Sequence, residues 1–497
     1  MDFLKNLPFF CIVLCMGAGI ISGILSGKNA KRVTLFVVSA VTVMSAILLW
    51  YVLQTNESFV YMMGHHSAPW GNEIRAGVLE ALIALFFSVI MLLSLLGGLK
   101  QIFEDVEEKK QNFYFIMVDL LLASLLALVY TNDIFTAYVF IEINTIAAAG
   151  LIMSKQNGQT LVASTKYMVM SLLGSGLALI SITLLYNITG HLLMSNMKET
   201  IAIMVVDHQY AVPLTMSIGL FAIALAIKSA LFPFHTWLPD AYGYSTPASS
   251  AMLSSLVSKS YIFLLIKIIY RVVGFEVIVS NRILNVLFVF GLIGMILGSV
   301  RALSQNDIRR VTAYSSVAQI GYIYMGIGLG TKYGMYAAVF HIISHAASKA
   351  LLFIAANGLV VASDGNVKFP QLKGAGYRNK IAGVGFTVGA LSMVGIPLFA
   401  GFISKLNFAQ ASIYSPSKMI LTLVILAIST VLNAMYFIRA VMVIYTPSEE
   451  TSKTSYSSYR NIAFSCSVIV FVILNFVLGI FSQPIMDAIR QGIEMFA

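Results

Sequence analysis

Charged residues are scarce in this sequence. They make up 10% of 497 residues, against roughly 25% in an ordinary soluble domain, while hydrophobic residues make up 59%. Apolar stretches of about 18 to 30 residues follow one another almost from end to end, and each could cross a hydrocarbon core of about 30 Å as a helix. The chain therefore has no room for a soluble domain and is predicted to lie mostly in a membrane.

Cysteine is also rare, and nucleotide-binding loops are absent. The three cysteines, Cys11, Cys15 and Cys466, lie in the first and last apolar stretches, too few and too apolar a setting for an iron–sulfur or zinc site. Neither a Walker loop nor a dinucleotide fingerprint is present. We therefore expect no cofactor, no metal and no catalytic chemistry in this chain, and a driving force from a gradient or a partner.

The formal net charge of +10 is spread over short loops. Lys and Arg beside apolar helices set membrane topology, so no nucleic acid partner is expected. The loops between predicted helices 1/2, 3/4, 5/6, 9/10, 11/12 and 13/14 hold about twice as many Lys and Arg residues as the loops on the other side of the membrane. We predict that these loops are cytoplasmic, that both termini are external, and that the chain is a multi-pass protein of the cell (inner or plasma) membrane.

The hydropathy pattern predicts an all-α polytopic membrane protein of about fourteen transmembrane helices. Proline and glycine break two of them, at 228–234 and 395–401, which is tolerated only beside protein or a water-filled cavity. The breaks lie about five helices apart, and an odd number per unit inverts the second unit, so we predict two inverted five-helix repeats. The predicted units are residues 1–112 (helices 1–3), 113–272 (first repeat, helices 4–8), 281–446 (second repeat, helices 9–13) and 447–497 (a linker and helix 14).

Several charged residues lie inside these apolar stretches. A charge at the centre of a membrane helix costs roughly 2.5 to 3.5 kcal/mol, so such residues indicate function. Positions i, i+4 and i+8 place His341, His345 and Lys349 on one helix face over about 12 Å. Imidazole exchanges protons near neutral pH, and desolvation favours the neutral form of lysine, so this row suits proton relay. The other candidates, in mid-span or at a break, are Glu142, Lys228, Lys259 and Lys405.

Some polar side chains have a simpler explanation. A lysine near a helix end usually extends to the lipid headgroups. We expect this of Lys155, Lys267 and Lys332. Trp70 and Trp237 are expected to be interfacial anchors. A static ion pair of Glu142 with Lys228 would only hold helices together, but it leaves the remaining buried lysines with no other mid-membrane acid to pair with.

Three segments around these charges carry recognisable motifs. They are KSALFPFHTWLPDA at 228–241 followed by Thr246-Pro-Ala and Lys259, RRVTAYSSVAQIGY at 309–322, and HAASKALLF at 345–353. Together they resemble the antiporter-like subunits of respiratory complex I, a family that includes the Mrp sodium/proton antiporter subunits and related subunits of membrane-bound hydrogenases. The resemblance covers about residues 70–440.

The resemblance implies fourteen helices with inverted repeats, and a pair, Glu142 with Lys228, whose separation switches during pumping. It implies that Lys405 is the gate toward the external side, although some members carry Glu there. The central connectors that it implies are Lys259, His341, His345 and Lys349. It further implies that the chain is similar to the middle complex I subunits or MrpD, with other membrane subunits and the lipid bilayer as partners.

The sequence favours one function over two others. The first is a proton-translocating subunit of a redox-driven complex or of a Na+/H+ antiporter. An alternative is a stand-alone secondary transporter of an organic solute, for which the breaks offer few ligand-sized polar groups. A passive scaffold is disfavoured by the cost of the buried charges. Lysines carry protons but cannot ligate sodium, which favours H+ on this path; the net ion, H+ or Na+, and the type of complex stay open.

Overall fold

In the computed structural model of the chain, almost all described residues are helical. The residues that the structure describes are 2–66, 71–206, 211–447 and 461–496. Within them, twelve helices are long and apolar enough to cross a membrane, and the one sheet is a two-stranded hairpin. The predicted fold class, an all-α polytopic membrane protein, is confirmed.

The N-terminal part consists of three long helices and the hairpin. Its elements are α1 (Asp2–Lys5), α2 (Leu7–Ile24), α3 (Gly27–Thr55), β1 (Phe59–Met62), β2 (Glu73–Ala76) and α4 (Val78–Asp105). α3 ends where Asn56 takes a left-handed conformation with φ 54°, which asparagine tolerates better than most residues. The strands are antiparallel, with Phe59 opposite Ala76.

The middle part contains the first broken helix. Its elements are α5 (Gln111–Tyr130), α6 (Ile134–Met153), α7 (Gly158–Thr189), α8 (Met194–Val206), α9 (Ala211–Lys228), α10 (Leu238–Tyr244), α11 (Pro247–Met252), α12 (Ser258–Ile268) and α13 (Phe275–Ser280). Two π-helical turns, Leu253–Val257 and Ile269–Val273, extend α11 and α12 into one continuous span, Pro247–Val273.

The last part contains the second broken helix. Its elements are α14 (Ile283–Leu303), α15 (Ile308–Gly328), α16 (Lys332–Val361), α17 (Ala375–Arg378), α18 (Lys380–Val394), α19 (Ala400–Ile413), α20 (Pro416–Tyr445), α21 (Ile462–Ile480) and α22 (Ser482–Glu494). Apart from Pro447, the predicted linker at 447–460 lies outside the described residues.

The two breaks occur where proline and glycine predicted them. α9 ends at Lys228 and α10 begins at Leu238, while α18 ends at Val394 and α19 begins at Ala400. α15 is 21 residues long but less apolar than the twelve spans, and each half of the α18–α19 pair is short. α15 and this pair would complete a set of fourteen. That count, the inverted repeats and the unit boundaries stay predictions.

Two spans are the most deeply buried: Pro247–Val273 along its whole length, and α16 from Gly334 to Val360. They carry Lys259, His341, His345 and Lys349. Four of the seven charged candidates therefore lie on the helices that are best shielded from lipid, as the cost of a lipid-exposed charge requires.

Close packing of α14 on α15 depends on glycine. A methyl group added at Gly291 would lie 2.6 Å from the backbone nitrogen of Met325 and 2.8 Å from the carbonyl oxygen of Gly321. One turn away, a methyl group at Gly294 would meet its nearest atom, Cβ of Phe232, at 3.5 Å, an ordinary contact. The first position therefore needs glycine, while the second has room for alanine.

We expect Gly291→Ala to unfold more easily than Gly294→Ala. The two variants gain the same helix propensity, so the backbone clash alone should lower the free energy of unfolding of Gly291→Ala by about 1 to 3 kcal/mol relative to its neighbour. Unfolding of the detergent-solubilised protein in increasing SDS, followed by fluorescence, measures the difference. Equal stability of the two variants would contradict this packing.

One of the lysines expected at the lipid headgroups lies elsewhere. Lys267 is fully buried, and its Nζ caps the end of α5 by donating to the carbonyl oxygens of Val129 (2.8 Å) and Thr131 (2.5 Å). That expectation was wrong because carbonyl partners from another helix, invisible in the local sequence, lie within reach. Lys155 forms an ion pair with Asp105 at 2.7 Å. Lys332 is exposed, as expected.

Candidate ion-translocation site

The first break places Lys228 at the carbonyl end of a half-helix. Lys228 is the last residue of α9, and the next residues leave the helix through Ala230, which has φ 60°. The residues that follow bond the carbonyl oxygens of the last turn of α9: Leu231 N donates to Ala226 at 2.9 Å and Ala230 N to Ile227 at 3.2 Å. The Lys228 side chain is fully buried there.

Side chains of the break itself bond carbonyl oxygens at the end of α9. Trp237 Nε1 donates to the carbonyl oxygen of Ile227 at 3.3 Å, and the Ser229 hydroxyl donates to that of Leu225 at 2.7 Å. The Ser229 hydroxyl also shares a hydrogen bond of 2.7 Å with Tyr324 OH on α15. Trp237 is thus buried in the protein, and the expectation that it anchors the membrane interface was wrong. Trp70 lies outside the described residues.

Glu142 and Lys228 lie on either side of a threonine. Lys228 Nζ donates to Thr145 Oγ1 at 2.8 Å and lies 5.5 Å from the ring centroid of Tyr261. Thr145 is one turn from Glu142 on α6. Glu142 is half-buried, and within the described part of the chain its Oε1 has no hydrogen-bond partner and its carboxylate forms no ion pair. The two charged groups are therefore close but not in direct contact.

Lys259 is held within its own helix. Its Nζ donates to the carbonyl oxygen of Ser254 in the π-helical turn Leu253–Val257, and its side chain is fully buried. The Ser254 hydroxyl shares a 3.1 Å hydrogen bond with Ser316 on α15. Lys259 thus reaches α15 through one serine.

The predicted row on α16 shares one face. The rings of His341 and His345 stack with centroids 5.7 Å apart. His341 Nδ1 shares a 2.6 Å hydrogen bond with Ser404 on α19, whereas neither ring nitrogen of His345 has a partner among the described residues. Lys349 Nζ donates to the Thr312 carbonyl oxygen at 2.7 Å and also to the Ser315 hydroxyl.

The second break also has a buried lysine beside it. Lys405 on α19 donates from Nζ to the carbonyl oxygen of Val394, the last residue of α18, at 2.6 Å. The chain leaves α18 through Gly395 with φ 89°, and a Cβ at that position would lie 2.9 Å from Lys405 Cδ. Glycine therefore lets the lysine side chain lie against the helix end. The ammonium group of Lys405 thus contacts a helix-end carbonyl oxygen, whereas that of Lys228 contacts the hydroxyl group of Thr145.

Sequence reasoning missed the hydroxyl groups of α15. Ser316 Oγ contacts both Ser254 and, at 3.3 Å, the carbonyl oxygen of Thr312, which is also bound by Lys349. α15 therefore joins the surroundings of Lys259 to those of Lys349. The signal was present, because Thr312, Ser315 and Ser316 follow a helical spacing in an otherwise apolar span.

The expectation that no further acid lies in mid-membrane was also wrong. Asp119 is in the middle of α5 and fully buried. Its partners are hydroxyl groups of α2 and α3 rather than any lysine of the row. It was overlooked because it stands alone in an apolar helix.

A helical membrane protein with two broken helices and ionisable groups along its interior is built like a secondary ion transporter. The chain belongs to the family described as NADH:quinone oxidoreductase/Mrp antiporter, transmembrane, which matches residues 131–433. The predicted family is thereby confirmed, and the match includes all seven candidate residues of the row.

Known proteins resemble the chain over nearly its whole length. NADH-quinone oxidoreductase subunit N of Desulforudis audaxviator is 29% identical over 443 residues, which are 88% of this chain and 86% of that protein. A chain of the Mrp complex from Dietzia sp. DQ12-45-1b superposes with a TM-score of 0.86 at 22% identity, covering 99% and 97% of the two chains. A chain of the membrane-bound sulfane sulfur reductase, an archaeal respiratory membrane complex, gives 0.85 at 23% identity, covering 100% and 98%. The two structures share the fold of this chain.

Proposed function

We propose that this chain translocates protons as an antiporter-like subunit of a multi-subunit complex. The observation that carries the proposal is that a buried lysine lies at each helix break, Lys228 at the end of α9 and Lys405 against the end of α18. The buried groups Lys259 and the row at 341–349 come between the two breaks in the chain. Buried charges of this number are costly to a membrane protein that has no ion path.

The first step takes place between Glu142 and Lys228. With Glu142 ionised, its negative charge favours the protonated form of Lys228 close by. When a proton reaches Glu142 and neutralises it, the Lys228 ammonium group loses that support and releases its proton toward Lys259. Thr145 accepts a hydrogen bond from Lys228 and so keeps the lysine near enough to Glu142 for the charge of one group to affect the other.

In the central step, the proton passes from Lys259 to Lys349 beside α15. The hydroxyl groups of Ser254, Ser316 and Ser315 line this connection. His345, with two nitrogens that have no partner in the described structure, is placed to accept a proton from Lys349, one turn away on α16.

In the last step, the proton passes from the histidines of α16 to Lys405. His341 stacks on His345 and shares a hydrogen bond with Ser404, the neighbour of Lys405 on α19. The path therefore ends at the second break, which we assign to the external side. The cytoplasmic side, in the cell membrane, is the one that carries the Lys- and Arg-rich loops.

The driving force comes from other subunits. Comparable chains are named as subunit N of an oxidoreductase and as part of the Mrp complex. Exposed apolar residues on α3 and α20 are suited to lipid or to partner subunits. We propose no cofactor, metal or nucleic acid for this chain, and we assign H+ rather than Na+ to the row, since its basic groups cannot ligate sodium.

The organic-solute alternative finds less support. A described cavity of about 330 Å³ is lined by Arg75, Lys198 and Arg271, among others, and includes neither break. It therefore does not provide a central solute site beside Lys228 or Lys405.

Proton uptake into vesicles tests the proposal. The whole complex is reconstituted, and a pH-sensitive dye and a Na+-sensitive dye are read in parallel. We expect Glu142→Gln and Lys405→Met each to abolish proton movement, because each removes a group that must exchange a proton, while the complex still assembles. Wild-type proton movement in both variants, or solute-specific uptake by the purified chain alone, would overturn the proposal.

A further inference from the structure

A polar cavity lies at one end of the helix bundle and contains no residue of the proposed relay. Its volume is about 330 Å³. Its lining includes Arg75 of β2, Asn132, which follows α5, and Arg271 in the last turn of the span Pro247–Val273. Each of these residues lies at or beyond the end of a membrane span. The cavity is therefore at the level of the lipid headgroups and not in the apolar centre.

Backbone hydrogen bonds tie the walls of this cavity together. The amide nitrogen of Asn132 donates to the carbonyl oxygen of Glu73 on β2 at 3.0 Å, and that of Met194, the first residue of α8, donates to the carbonyl oxygen of Asn132 at 2.8 Å. The hairpin and α8 are thus both fixed to the end of α5. Lys198 of α8 also lines the cavity. A site with walls fixed in this way loses little conformational freedom when it binds a ligand.

The two arginines of the lining hold donors without a partner. Arg271 is only 3% exposed, and its Nη2 pairs with Glu80. Its Nε and Nη1 are buried without a hydrogen-bond partner, and so is Nε of Arg75. In the described part of the chain, no other arginine has buried nitrogens of this kind. A guanidinium group cannot avoid the cost by losing a proton, so these groups call for an acceptor.

Phe496 covers one face of the Arg271 guanidinium group, whose Cζ lies 4.1 Å from the ring centroid. Such a contact stabilises the positive charge. The N–H bonds of a guanidinium group lie in its plane, however, and point away from a ring that covers its face. The aromatic ring therefore does not replace the missing acceptor.

Positive charge exceeds negative charge around the cavity. The lining carries Arg75, Lys198 and Arg271 against the single acid Glu199. Glu199 is exposed on α8, where solvent screens its charge. The charged groups behind the lining are Glu73, Glu80 and Lys267. The surroundings as a whole keep one positive charge in excess, which favours an anion.

A phosphate group fits these donors. Its oxygen atoms match the fork of a guanidinium group, and an ammonium group such as that of Lys198 adds a point charge. The unpartnered Oδ1 of Asn132 needs a donor, which the hydroxyl or amine of a lipid headgroup and the proton of a hydrogen phosphate ion can both supply. The cavity reaches from the buried Asn132 to the exposed Glu199, so a ligand can enter from outside.

We infer that this cavity binds a phosphate group, carried either by a phospholipid headgroup or by free inorganic phosphate. Basic pockets between membrane helices are a known setting for anionic headgroups. This inference goes beyond the proposed function and does not depend on it.

Binding to the purified complex, stripped of lipid in detergent, tests this site. Radioactive inorganic phosphate reports on the free ion. Native mass spectrometry counts bound lipid after addition of phosphatidylglycerol or of diacylglycerol, which has the acyl chains but no phosphate. We expect Arg75→Gln to weaken binding by about 10- to 100-fold, the cost of a lost hydrogen bond to a charged group, and Lys198→Gln to weaken it as well. Arg75→Lys, which keeps the charge but not the fork, should lose less than Arg75→Gln.

The control is Arg282→Gln, the same change at an exposed arginine before α14 and outside the cavity, which should bind like the wild type. Arg271→Gln is avoided because it would leave Glu80 buried without its partner. If Arg75→Gln does not assemble, Lys198→Gln, at a half-buried position, decides the question.

The probe whose binding the variants weaken identifies the source of the phosphate group. A loss confined to phosphatidylglycerol supports a headgroup site, and a loss confined to inorganic phosphate supports a site for the free ion. Wild-type binding of both probes in Arg75→Gln and Lys198→Gln, or equal binding of diacylglycerol and phosphatidylglycerol, would overturn the inference. The measurement needs no gradient and no transport, so its failure leaves the proton relay untouched, and the converse holds as well.

Discussion

Lys228→Met is expected to reduce proton translocation by about 100-fold or more, the scale of effect seen when a positioned proton-transfer group is lost. Methionine has a similar length and suits an apolar interior, so the variant should assemble. It removes the ammonium group at the end of α9, which donates to Thr145, and it leaves Glu142 without its basic neighbour. Initial rates of acidification in vesicles that contain the whole complex measure the loss.

A second substitution at this position separates charge from proton exchange. Lys228→Arg keeps the positive charge, but a guanidinium group does not give up its proton in proteins. If Lys228 is a proton carrier, the arginine variant should also fail to translocate. If it only balances Glu142, the arginine variant should work. Lys332→Met, at the exposed start of α16, is the matched control and should keep full activity. Rapid translocation by either Lys228 variant would remove the first break from the path.

Local sequence rules were sufficient to predict the two helix breaks and the row of ionisable residues on α16. Pro233 and Gly395 disrupt helices through backbone geometry, which does not depend on the rest of the fold. The spacing of His341, His345 and Lys349 follows from the helical period alone, and the stacked histidine rings agree with it. These features could be predicted because their causes lie within a few residues.

The contacts between helices could not be predicted in this way. That Thr145 lies between Glu142 and Lys228 depends on how α6 packs against α9. Lys267 was assigned to the headgroups because the sequence does not show that the end of α5 lies beside it. Asp119 was overlooked for a related reason, since its hydroxyl partners belong to two distant helices. Partners separated by many residues are set by tertiary packing, on which a single sequence gives little information.

The lysines at the two breaks have no ion-pair partner in the described structure. Lys405 donates to the helix-end carbonyl oxygen of Val394, and Lys228 donates to the hydroxyl group of Thr145. A permanent counter-ion would hold the proton in place, as Glu80 holds Arg271. A carbonyl or hydroxyl oxygen favours the ammonium form less strongly and leaves the lysine free to release its proton. The absence of direct ion pairs at Lys228 and Lys405 in the described structure is thus in keeping with a relay.

Lys349→Met is expected to stop net translocation as completely as Lys228→Met, although it lies on a different helix. Lys349 bonds two groups of α15, the Thr312 carbonyl oxygen and the Ser315 hydroxyl. Without it, protons that reach Lys259 have no basic acceptor toward the histidines. We expect a loss of about 100-fold or more in vesicle acidification, with unchanged assembly.

Variants around Lys349 distinguish a proton carrier from a structural contact. Ser315→Ala removes one hydrogen bond and leaves the lysine, so it should slow translocation much less than Lys349→Met does. Lys373→Met, at an exposed loop position, is the control for the chemical change. Since Ser316 contacts Ser254 and Thr312, Ser316→Ala should slow transfer if protons pass beside α15. Full activity of Lys349→Met would remove Lys349 from the path and mean that protons leave Lys259 by a route that does not need it.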